Sequence, residues 1–591
     1  MQCKCGIYGV LLALAVESQG SSLDSVQFWK GTEPYDYDHN YVWEPPVYDN
    51  LKKDHPSFDI VSAVSANYKF VVGGMDFLPD GRMVLADWGK FGETYGSIYL
   101  LSNLEGGPSG VTVEKVAQDI WEPLGVVVAD GEIYYLAQDG IWKLEKNAGA
   151  GYTKKPFQSF PVPLKAGGYW PVAMCLYYFQ GAFWFTTGGY GNASPDKGEG
   201  YVFRMPKADP KAYEIISRGL RHPAGLGFTP EGAVFSTDNQ GEWRRSSAIY
   251  HVKRGKHMLY FQYFKTNPVF PPADSQQTPA IWVPHGEAGC SPTEMFYLDS
   301  GPYAKQFLVG DNRYGAVSRA SIEVVKGVYQ GAYFPFSGID STSGGIHRFV
   351  RGPDGMVYWG ALGHTGANPN WSWNGKTFGL WKMNPNGKPT FDLQDVRSIK
   401  SGFGLSFTDP ASADAAKPAT YKVSSWRYGA PAVSYGGIKE DFKTNTVTAV
   451  SIANDKKRVN LTIQGMVAGR VYRIEVDSTL ASETGLPIWT KRAWYTLNAI
   501  SDDEAVSVQN PASPVYGNFV WARARSGRRL EIRIPDAGAF QLEVRDTRGS
   551  IIGHENGIGP ITRTLAMPQA GIWWVKVSAK GGEDVKKVYG F

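Results

Sequence analysis

The sequence contains little cysteine. Only four of the 591 residues are cysteines: Cys3 and Cys5 lie near the amino terminus, and Cys175 and Cys290 lie far apart in the chain. This spacing matches neither a zinc site nor a haem-attachment motif. Cys175 and Cys290 either form a single disulfide or remain two separate buried thiols, and the sequence leaves both alternatives open.

Long blocks of like charge are also absent. The 60 basic and 56 acidic residues are interspersed and give a net charge of +4. Proteins that bind nucleic acid usually carry a concentrated basic surface. We therefore expect no nucleic-acid partner.

No apolar run is long enough to span a bilayer, which needs about 20 residues. The stretch from Ile7 to Val16 is shorter, follows Lys4 and contains the small-x-small sequence Ala13-Leu14-Ala15. This pattern is typical of a secretory signal peptide. We assign it to residues 1–20, and expect a protein without a transmembrane segment that is secreted or held at the cell surface.

Several catalytic motifs are missing as well. The chain has no His-Glu-x-x-His pair and no Gly-x-Ser-x-Gly elbow, and its glycine clusters do not follow a Rossmann strand pattern. Zinc-hydrolase, serine-hydrolase and dinucleotide-binding chemistry therefore have no local support.

What the sequence does contain is turn and strand residues. It has 69 Gly, 37 Pro and 14% aromatic residues, a composition that suits many short strands joined by tight turns. A unit made of an apolar residue, a turn and a strand recurs at about fifty residues. Its turns are Pro79-Asp80-Gly81, Asp130-Gly131, Gln180-Gly181, Pro230-Glu231-Gly232, Tyr303-Ala304-Lys305 and Pro353-Asp354-Gly355.

Six such units predict a six-bladed β-propeller over residues 58–415, preceded by an extension over 21–57. The fourth interval is longer than the others and predicts an insertion between Trp243 and Pro284. Beyond this region the alternation changes, and we expect one β-sandwich over 416–500 and another over 501–591. The predicted fold class is all-β.

Three segments resemble consecutive signatures of the glucose/sorbosone dehydrogenase propellers: GLRHPAGLGFTPEGAVFSTDN (219–239), SPTEMFYLDSGPYAKQFLVGD (291–311) and RFVRGPDGMVYWG (348–360). Enzymes of that family oxidise sugars with pyrroloquinoline quinone (PQQ), which calcium holds in place. The resemblance implies a propeller fold and quinone-dependent oxidation of a sugar or similar polyol. It also implies that Arg221 and His222 contact the quinone, although the family usually has Asn at the position of His222.

The family's general base is a histidine before the strand of the third blade. The matching region, residues 167–189, contains no histidine. Tyr169 and Trp170 stand near that place, and neither side chain is a good base near neutral pH. We assign both to substrate binding, together with His285 and His364, because propeller loops converge on one mouth; a lone histidine can equally be structural.

The resemblance places calcium at the loop after the fourth repeat. There Asp238, Asn239, Gln240 and Glu242 offer oxygen atoms of the kind that calcium binds. The same residues also fit a polar turn whose backbone is capped by Asp and Asn.

The carboxyl-terminal segments AGAFQLEVRDTRGSII (537–552) and AGIWWVKVSAKGGEDVKKVYGF (570–591) resemble the sorting domains of type IX secretion. This similarity implies association with the cell surface. A carbohydrate-binding or adhesive sandwich is the other interpretation.

Three functions remain open: a PQQ-dependent sugar dehydrogenase, a non-catalytic propeller that binds a sugar or polysaccharide, and a hydrolase or lyase with its site in the propeller mouth. The resemblance favours the first, and the missing histidine favours the second. Whether the protein is an enzyme is not decided by its sequence.

Overall fold

A computed structural model describes residues 53–89, 95–160, 173–188, 200–240, 246–258, 273–338, 344–363, 377–428, 439–505, 521–525, 529–534, 539–545, 550–558, 561–566, 571–579 and 582–590. The prediction of an all-β fold is confirmed. The described residues form strands and 3-10 helices of three or four residues: Leu104–Gly106, Pro108–Gly110, Pro210–Ala212, Ala273–Ser275, Ala413–Ala416 and Pro418–Thr420.

Six sheets of the first region follow one another along the chain, each built on four antiparallel strands. Their strands are β1 (Phe58–Ser62), β2 (Val72–Phe77), β3 (Met83–Asp87), β4 (Tyr95–Ser102), β5 (Thr112–Trp121), β6 (Gly125–Ala129), β7 (Glu132–Ala137), β8 (Gly140–Lys146), β9 (Tyr152–Ser159), β10 (Ala173–Phe179), β11 (Ala182–Thr187), β12 (Val202–Pro206), β13 (Glu214–Arg218), β14 (Leu226–Phe228), β15 (Val234–Asp238), β16 (Ser247–His251), β17 (Lys256–His257), β18 (Ile281–Val283), β19 (Pro292–Tyr297), β20 (Phe307–Asp311), β21 (Val317–Val325), β22 (Val328–Ser337), β23 (Ile346–Arg351), β24 (Val357–Leu362) and β25 (Phe378–Pro385).

The first strands of successive sheets contact one another in a closed ring. The ring runs from β2 through β6, β10, β14, β19 and β23 back to β2. We call these six strands the inner strands. A closed ring of sheets around a central axis is the arrangement of a β-propeller.

Glycines allow the inner strands to approach closely. A Cβ atom on Gly125 would lie 2.5 Å from Cβ of Leu176 in the next sheet, and one on Gly225 would lie 2.4 Å from Cα of Glu294. Both distances are too short for any larger residue. The glycine of the Leu-Arg-x-Pro-x-Gly-Leu segment is therefore required by packing between the fourth and fifth sheets.

The predicted turns join the first and second strands of each sheet. Each ends in a residue with a left-handed backbone: φ is 90° at Gly81, 84° at Gly131, 73° at Gly181, 99° at Gly232, 68° at Lys305 and 81° at Gly355. Glycine adopts this conformation without strain. The turn residues thus predicted the start of every sheet.

The sixth sheet is completed by the earliest described strand. Its order is β1-β25-β24-β23, and β1 pairs antiparallel with β25 from Phe58 opposite Pro385 to Ser62 opposite Trp381. This pairing was not predicted from the sequence. In the longer fourth interval, β17 joins the third sheet by pairing parallel with β13.

The next region, which we call the second region, contains β26 (Leu393–Ile399), β27 (Gly402–Phe407), β28 (Tyr421–Arg427), β29 (Glu440–Asn445), β30 (Val447–Ile452), β31 (Arg458–Ile463), β32 (Arg470–Val476) and β33 (Arg492–Leu497). β26 and β27 form one sheet with β31 and β30, so they lie with the later strands and not in the ring that we predicted to reach residue 415.

The remaining four strands of this region extend the fifth sheet of the ring. β33 pairs with β22, and the order β19-β20-β21-β22-β33-β32-β28-β29 makes one sheet of eight strands. A shared apolar core packs Ala332 and Phe334 of β22 against Phe391, Tyr472 and Tyr495. The second region is therefore joined to the ring by both backbone pairing and core packing.

The last described strands form two further sheets. They are β34 (Trp521–Arg525), β35 (Arg529–Ile534), β36 (Ala539–Arg545), β37 (Ile551–Ile558), β38 (Ile561–Ala566), β39 (Gly571–Ala579) and β40 (Gly582–Gly590). Their orders are β34-β35-β38 and β37-β36-β39-β40. Leu530, Phe540 and Trp573 lie in β35, β36 and β39.

Candidate functional site

One end of the ring gathers polar side chains from several sheets. We call this end the mouth: it consists of the described residues directly before the inner strands and directly after the second strand of each sheet. Three of these second strands, β3, β15 and β20, end in an aspartate: Asp87, Asp238 and Asp311. The three carboxylates have the same hydrogen-bonding role.

Each of these aspartates accepts hydrogen bonds from backbone N–H groups that precede the inner strand of its own sheet. Asp87 accepts from Val71 at 2.9 Å, and Asp311 accepts from Cys290 at 2.6 Å and Ser291 at 3.2 Å. Asp238 accepts from Arg221 at 3.1 and 3.0 Å and from His222 at 2.7 Å. The repeated aspartate fixes the loop at the mouth.

Asp238 is one of the residues that we predicted to bind calcium, and both of its carboxylate oxygens accept hydrogen bonds from backbone N–H groups. Asn239 Oδ1 accepts from Ser247 Oγ at 3.3 Å, and the backbone N–H of Gln240 donates to the same hydroxyl at 3.1 Å. Among the described residues, no group of three His, Cys, Asp or Glu side chains is placed to hold a metal ion. The residues fit the alternative interpretation, a polar turn, and the calcium assignment of Glu242 lies outside the described residues.

Arg221 and His222 lie side by side at the mouth of the fourth sheet, before β14. Arg221 is buried, with 4% of its surface exposed. Burial lowers the pKa of His222 to about 3, and the positive charge of Arg221 contributes to this shift. The imidazole of His222 is therefore neutral at physiological pH.

His285 approaches the same arginine from the loop between the fourth and fifth sheets. Burial lowers its pKa to about 4, and the charge of Arg221 acts in the same direction. Its Nε2 lies 3.5 Å from Nε2 of Gln240. The structure thus brings together three residues predicted for the site, Arg221, His222 and His285.

A third histidine, His347 at the start of β23, joins this group, although we did not assign it to the site from the sequence. It is 3% exposed, and neither ring nitrogen has a hydrogen-bond partner among the described residues. Burial lowers its pKa well below the usual value, and Arg348 and His222 act in the same direction. An imidazole with two unsatisfied buried nitrogens is costly, and the only sequence signal was its position beside the sixth repeat.

Below the mouth, the guanidinium of Arg348 lies on the axis of the ring. Its five N–H groups make five hydrogen bonds, which saturates the side chain. The acceptors are carbonyl oxygens at the beginnings of the inner strands of five sheets: Gly73 at 2.9 Å, Leu124 at 2.9 Å, Met174 at 2.7 Å, Ala224 at 2.8 Å and His347 at 3.1 Å.

The remaining sheet of the ring contributes a carboxyl group beside this arginine. Glu294 on β19 accepts a hydrogen bond from the backbone N–H of Phe349 at 3.0 Å. Burial raises its pKa to about 8 in spite of the nearby charge of Arg348. Burial also raises the pKa of Asp76 to about 6, against two backbone hydrogen bonds from Val128 and Phe77.

Some of the other predicted features lie among the described residues and some do not. Tyr169, Trp170 and His364, which we assigned to substrate binding, lie outside the described residues. Cys175 and Cys290 are both buried and free, which decides between the two alternatives for them. In the described part of the chain, no helix has the length and apolar character needed to cross a membrane.

Comparisons with known proteins give distant likenesses. No protein-family model and no curated protein matches the chain. Among solved structures, a putative oxidoreductase (glucose dehydrogenase) from Thermus thermophilus is 16% identical, with a TM-score of 0.39, over 55% of this chain and 99% of that one. The PQQ-bound aldose sugar dehydrogenase of Streptomyces coelicolor is 11% identical, with a TM-score of 0.38, over 56% and 99%.

A gluconolactonase from Xanthomonas campestris is similar to the same degree. It is 14% identical, with a TM-score of 0.35, over 58% of this chain and 96% of that one. At these TM-scores the likenesses carry no argument about chemistry.

Proposed function

We propose that the mouth of the ring binds a polar organic ligand, and that the protein is an oxidoreductase of the quinone-dependent sugar dehydrogenase kind. The observation that supports this proposal is the convergence of Arg221 with the neutral imidazoles of His222 and His285. A guanidinium binds carboxylate and quinone oxygens through paired N–H donors. Neutral imidazoles can donate to a ligand or accept a proton from it.

The described residues fit pyrroloquinoline quinone in part. Arg221 and His222 would hold its oxygens, and the bound quinone would supply hydride acceptance, which no protein side chain can supply. Calcium does not fit the described part of residues 238–242, because Asp238 is engaged with backbone N–H groups. We therefore assign no step to calcium.

Oxidation of an alcohol also requires a group that accepts the hydroxyl proton. The described candidates are the neutral imidazoles of His222, His285 and His347. His347 stands out because neither of its ring nitrogens has a partner among the described residues. This position would replace the histidine that is missing from residues 167–189.

The second candidate function is a sugar-binding propeller without catalysis. It is favoured by the strongly lowered pKa values, about 3 for His222 and about 4 for His285. A group with so low a pKa is a weak proton acceptor near neutral pH. The hydrolase or lyase has less support, since the carboxylates of Asp87, Asp238 and Asp311 are engaged with backbone N–H groups.

The test is reconstitution with PQQ, in the presence and absence of calcium, followed by titration calorimetry and sugar-driven dye reduction. Micromolar binding together with dye reduction supports the dehydrogenase. Binding of sugars without quinone supports the second candidate. Absence of quinone binding at micromolar concentration contradicts the oxidoreductase.

We further propose that the protein acts outside the cytoplasm. The signal-like stretch from Ile7 to Val16 and the carboxyl-terminal resemblance to type IX sorting domains support this proposal. Fractionation of cells that express the full chain would test it. Recovery of the unprocessed chain from the cytoplasm alone would contradict it.

A further inference from the structure

We infer that Glu287 is a positioning residue, through which the second region of the chain holds the loop that carries His285. The second region then contributes to the site, because it positions one of the site's loops. This inference rests on the proposed function only where it calls the mouth a binding site. The contacts that carry it stand without any assigned ligand.

Glu287 contacts the second region through three donors. Its Oε1 accepts from Nε1 of Trp494 at 2.7 Å and from a terminal nitrogen of Arg473 at 3.0 Å. Its Oε2 pairs with Nζ of Lys439. All three partners belong to the region that follows the ring, so one carboxylate joins residues far apart in the sequence.

The charge of Glu287 is maintained in a buried place. Its side chain is 11% exposed. Burial by itself would raise its pKa, but Lys439 and Arg473 outweigh burial, and the pKa lies below the usual value. In contrast, burial raises the pKa of Glu294 and Asp311. Glu287 is thus an ionised carboxylate that is paired with two cations.

The loop that Glu287 belongs to is a tight turn. The carbonyl of Pro284 accepts from the N–H groups of Glu287 at 3.2 Å, Ala288 at 2.8 Å and Gly289 at 3.3 Å. Gly286 has a φ of 74°, which favours glycine. Displacement of Glu287 would therefore move the whole turn, including His285 directly before Gly286.

The same turn is tied into the mouth on its other side. The backbone N–H of His285 donates to Oγ of Ser246 at 3.0 Å, and that hydroxyl donates to the carbonyl of Val283. The N–H of Cys290 donates to Asp311. From this turn, the carboxylate of Glu287 reaches the second region.

Neighbouring contacts fix the second region beside this turn. The N–H of Trp282 donates to Oγ1 of Thr496 at 2.7 Å. Trp282 also packs on Tyr428, with ring centroids 5.0 Å apart. The second region consequently contacts the strand that leads into the turn as well as the turn itself.

The experiment compares Glu287→Gln and Glu287→Ala with Glu475→Gln in the full chain. Glu475 is the matched control, because it also pairs with Arg473, at 3.2 Å, and with Arg492 at 2.7 Å, and neither of these pairs involves the turn. Two readouts are used at fixed pH: amide hydrogen exchange of residues 286–289 and the imidazole NMR signals of His285.

We expect Glu287→Gln to accelerate exchange of the turn amides about tenfold or more, since local opening governs exchange. We also expect it to shift the His285 signals, whereas Glu475→Gln leaves both readouts unchanged. Exchange within about twofold of the wild type would overturn the inference. Unmoved His285 signals, or an equal response in the control, would overturn it too.

If Glu287→Ala does not fold, Glu287→Gln and Trp494→Phe keep the test decisive, because each removes part of the contact with little change of shape. Quinone titration of the same variants separates the two proposals. If wild-type protein binds no quinone while Glu287→Gln loosens the turn, only the proposed function fails. If the wild type binds quinone and the turn is unaffected, only the role of Glu287 fails.

Discussion

The axis and the mouth of the ring each contain a buried arginine, but the two places use it differently. On the axis, Arg348 has all five N–H groups bonded to carbonyl oxygens at or just before the beginnings of inner strands. At the mouth, Arg221 stands among imidazoles, and His347 has two ring nitrogens without partners among the described residues. A side chain whose hydrogen-bonding groups all have protein partners is structural, whereas buried polar atoms without such partners indicate a place where a ligand can bind.

The two places also respond to pH in opposite directions. The inner-strand acids Glu294 and Asp76 have raised pKa values, so their protonated forms stabilise the fold. The mouth histidines have lowered pKa values, so their neutral forms do so. The difference offers a way to perturb one place without the other.

The largest effect is expected from Arg348→Met. It removes five hydrogen bonds and leaves carbonyl oxygens of the inner strands unsatisfied, so the free energy of unfolding should fall by about 5 kcal/mol or more. Chemical denaturation measures it. Arg351→Met is the control in the same strand, because its ion pair with Asp299 is partly exposed and should contribute less than about 1 kcal/mol. Equal losses of unfolding free energy in the two variants would contradict a particular role of Arg348 in stabilising the ring.

The next effect is a loss of stability as pH rises through the neutral range. The pKa of Glu294 is about 8 in the folded protein and near its usual value in the unfolded chain. The folded state therefore binds more protons, and stability should fall between pH 4.5 and pH 8. Glu294→Gln should flatten this decline, which we expect to reach about 4 kcal/mol. An unchanged slope in the variant would contradict a neutral, buried Glu294.

A smaller effect is expected on the acid side. His347 is neutral in the folded protein and protonates below about pH 6.5 in the unfolded chain, so it contributes stability that is lost as pH falls from that value. His347→Gln should reduce the acid slope by up to about 1.4 kcal/mol per pH unit. Denaturant titrations between pH 4 and pH 6.5 check it, with exposed His554→Gln as control. A slope equal to that of the wild type would contradict the prediction.

The smallest effect on stability is expected from Arg221→Lys, which keeps the charge but loses the planar fork of donors. The free energy of unfolding should change by less than about 1 kcal/mol, while affinity for an anionic or quinone ligand falls about tenfold or more. Denaturation and titration calorimetry measure the two quantities. A large stability loss with unchanged affinity would make Arg221 a structural residue like Arg348.

The sequence predicted the parts of the fold that local residues determine. Turn residues located the connection between the first and second strands of each sheet, and five of these six turns end in a glycine with a left-handed backbone. It did not predict the partners of Arg348. These partners are backbone carbonyl oxygens, which every residue type has, so the sequence does not distinguish them. It did not predict that β27 pairs with β31, since alternation does not identify the partner of a strand.

The candidate site was predicted less well for a related reason. Arg221, His222 and His285 do converge. Asp238 has the side chain of a metal ligand, and we predicted it to bind calcium, but in the structure its carboxylate accepts hydrogen bonds from backbone N–H groups. Equivalent placements of Asp87 and Asp311 reveal the structural role, and they are recognised only once the strands are aligned in space. The role of Glu287 depends on partners that lie 152 to 207 residues later in the chain.

The pairing of β1 with β25 has a consequence for how the chain becomes folded. Phe58 meets Pro385 only after more than half of the chain has been synthesised. Until then the sixth sheet lacks its outer strand, and the edge of β1 has no partner in the ring. Contacts between segments so distant in sequence slow folding, because the entropy of closing the loop is lost before the contact forms. Ring closure should therefore be a late event in biogenesis, and conditions that delay it should expose two open strand edges to aggregation.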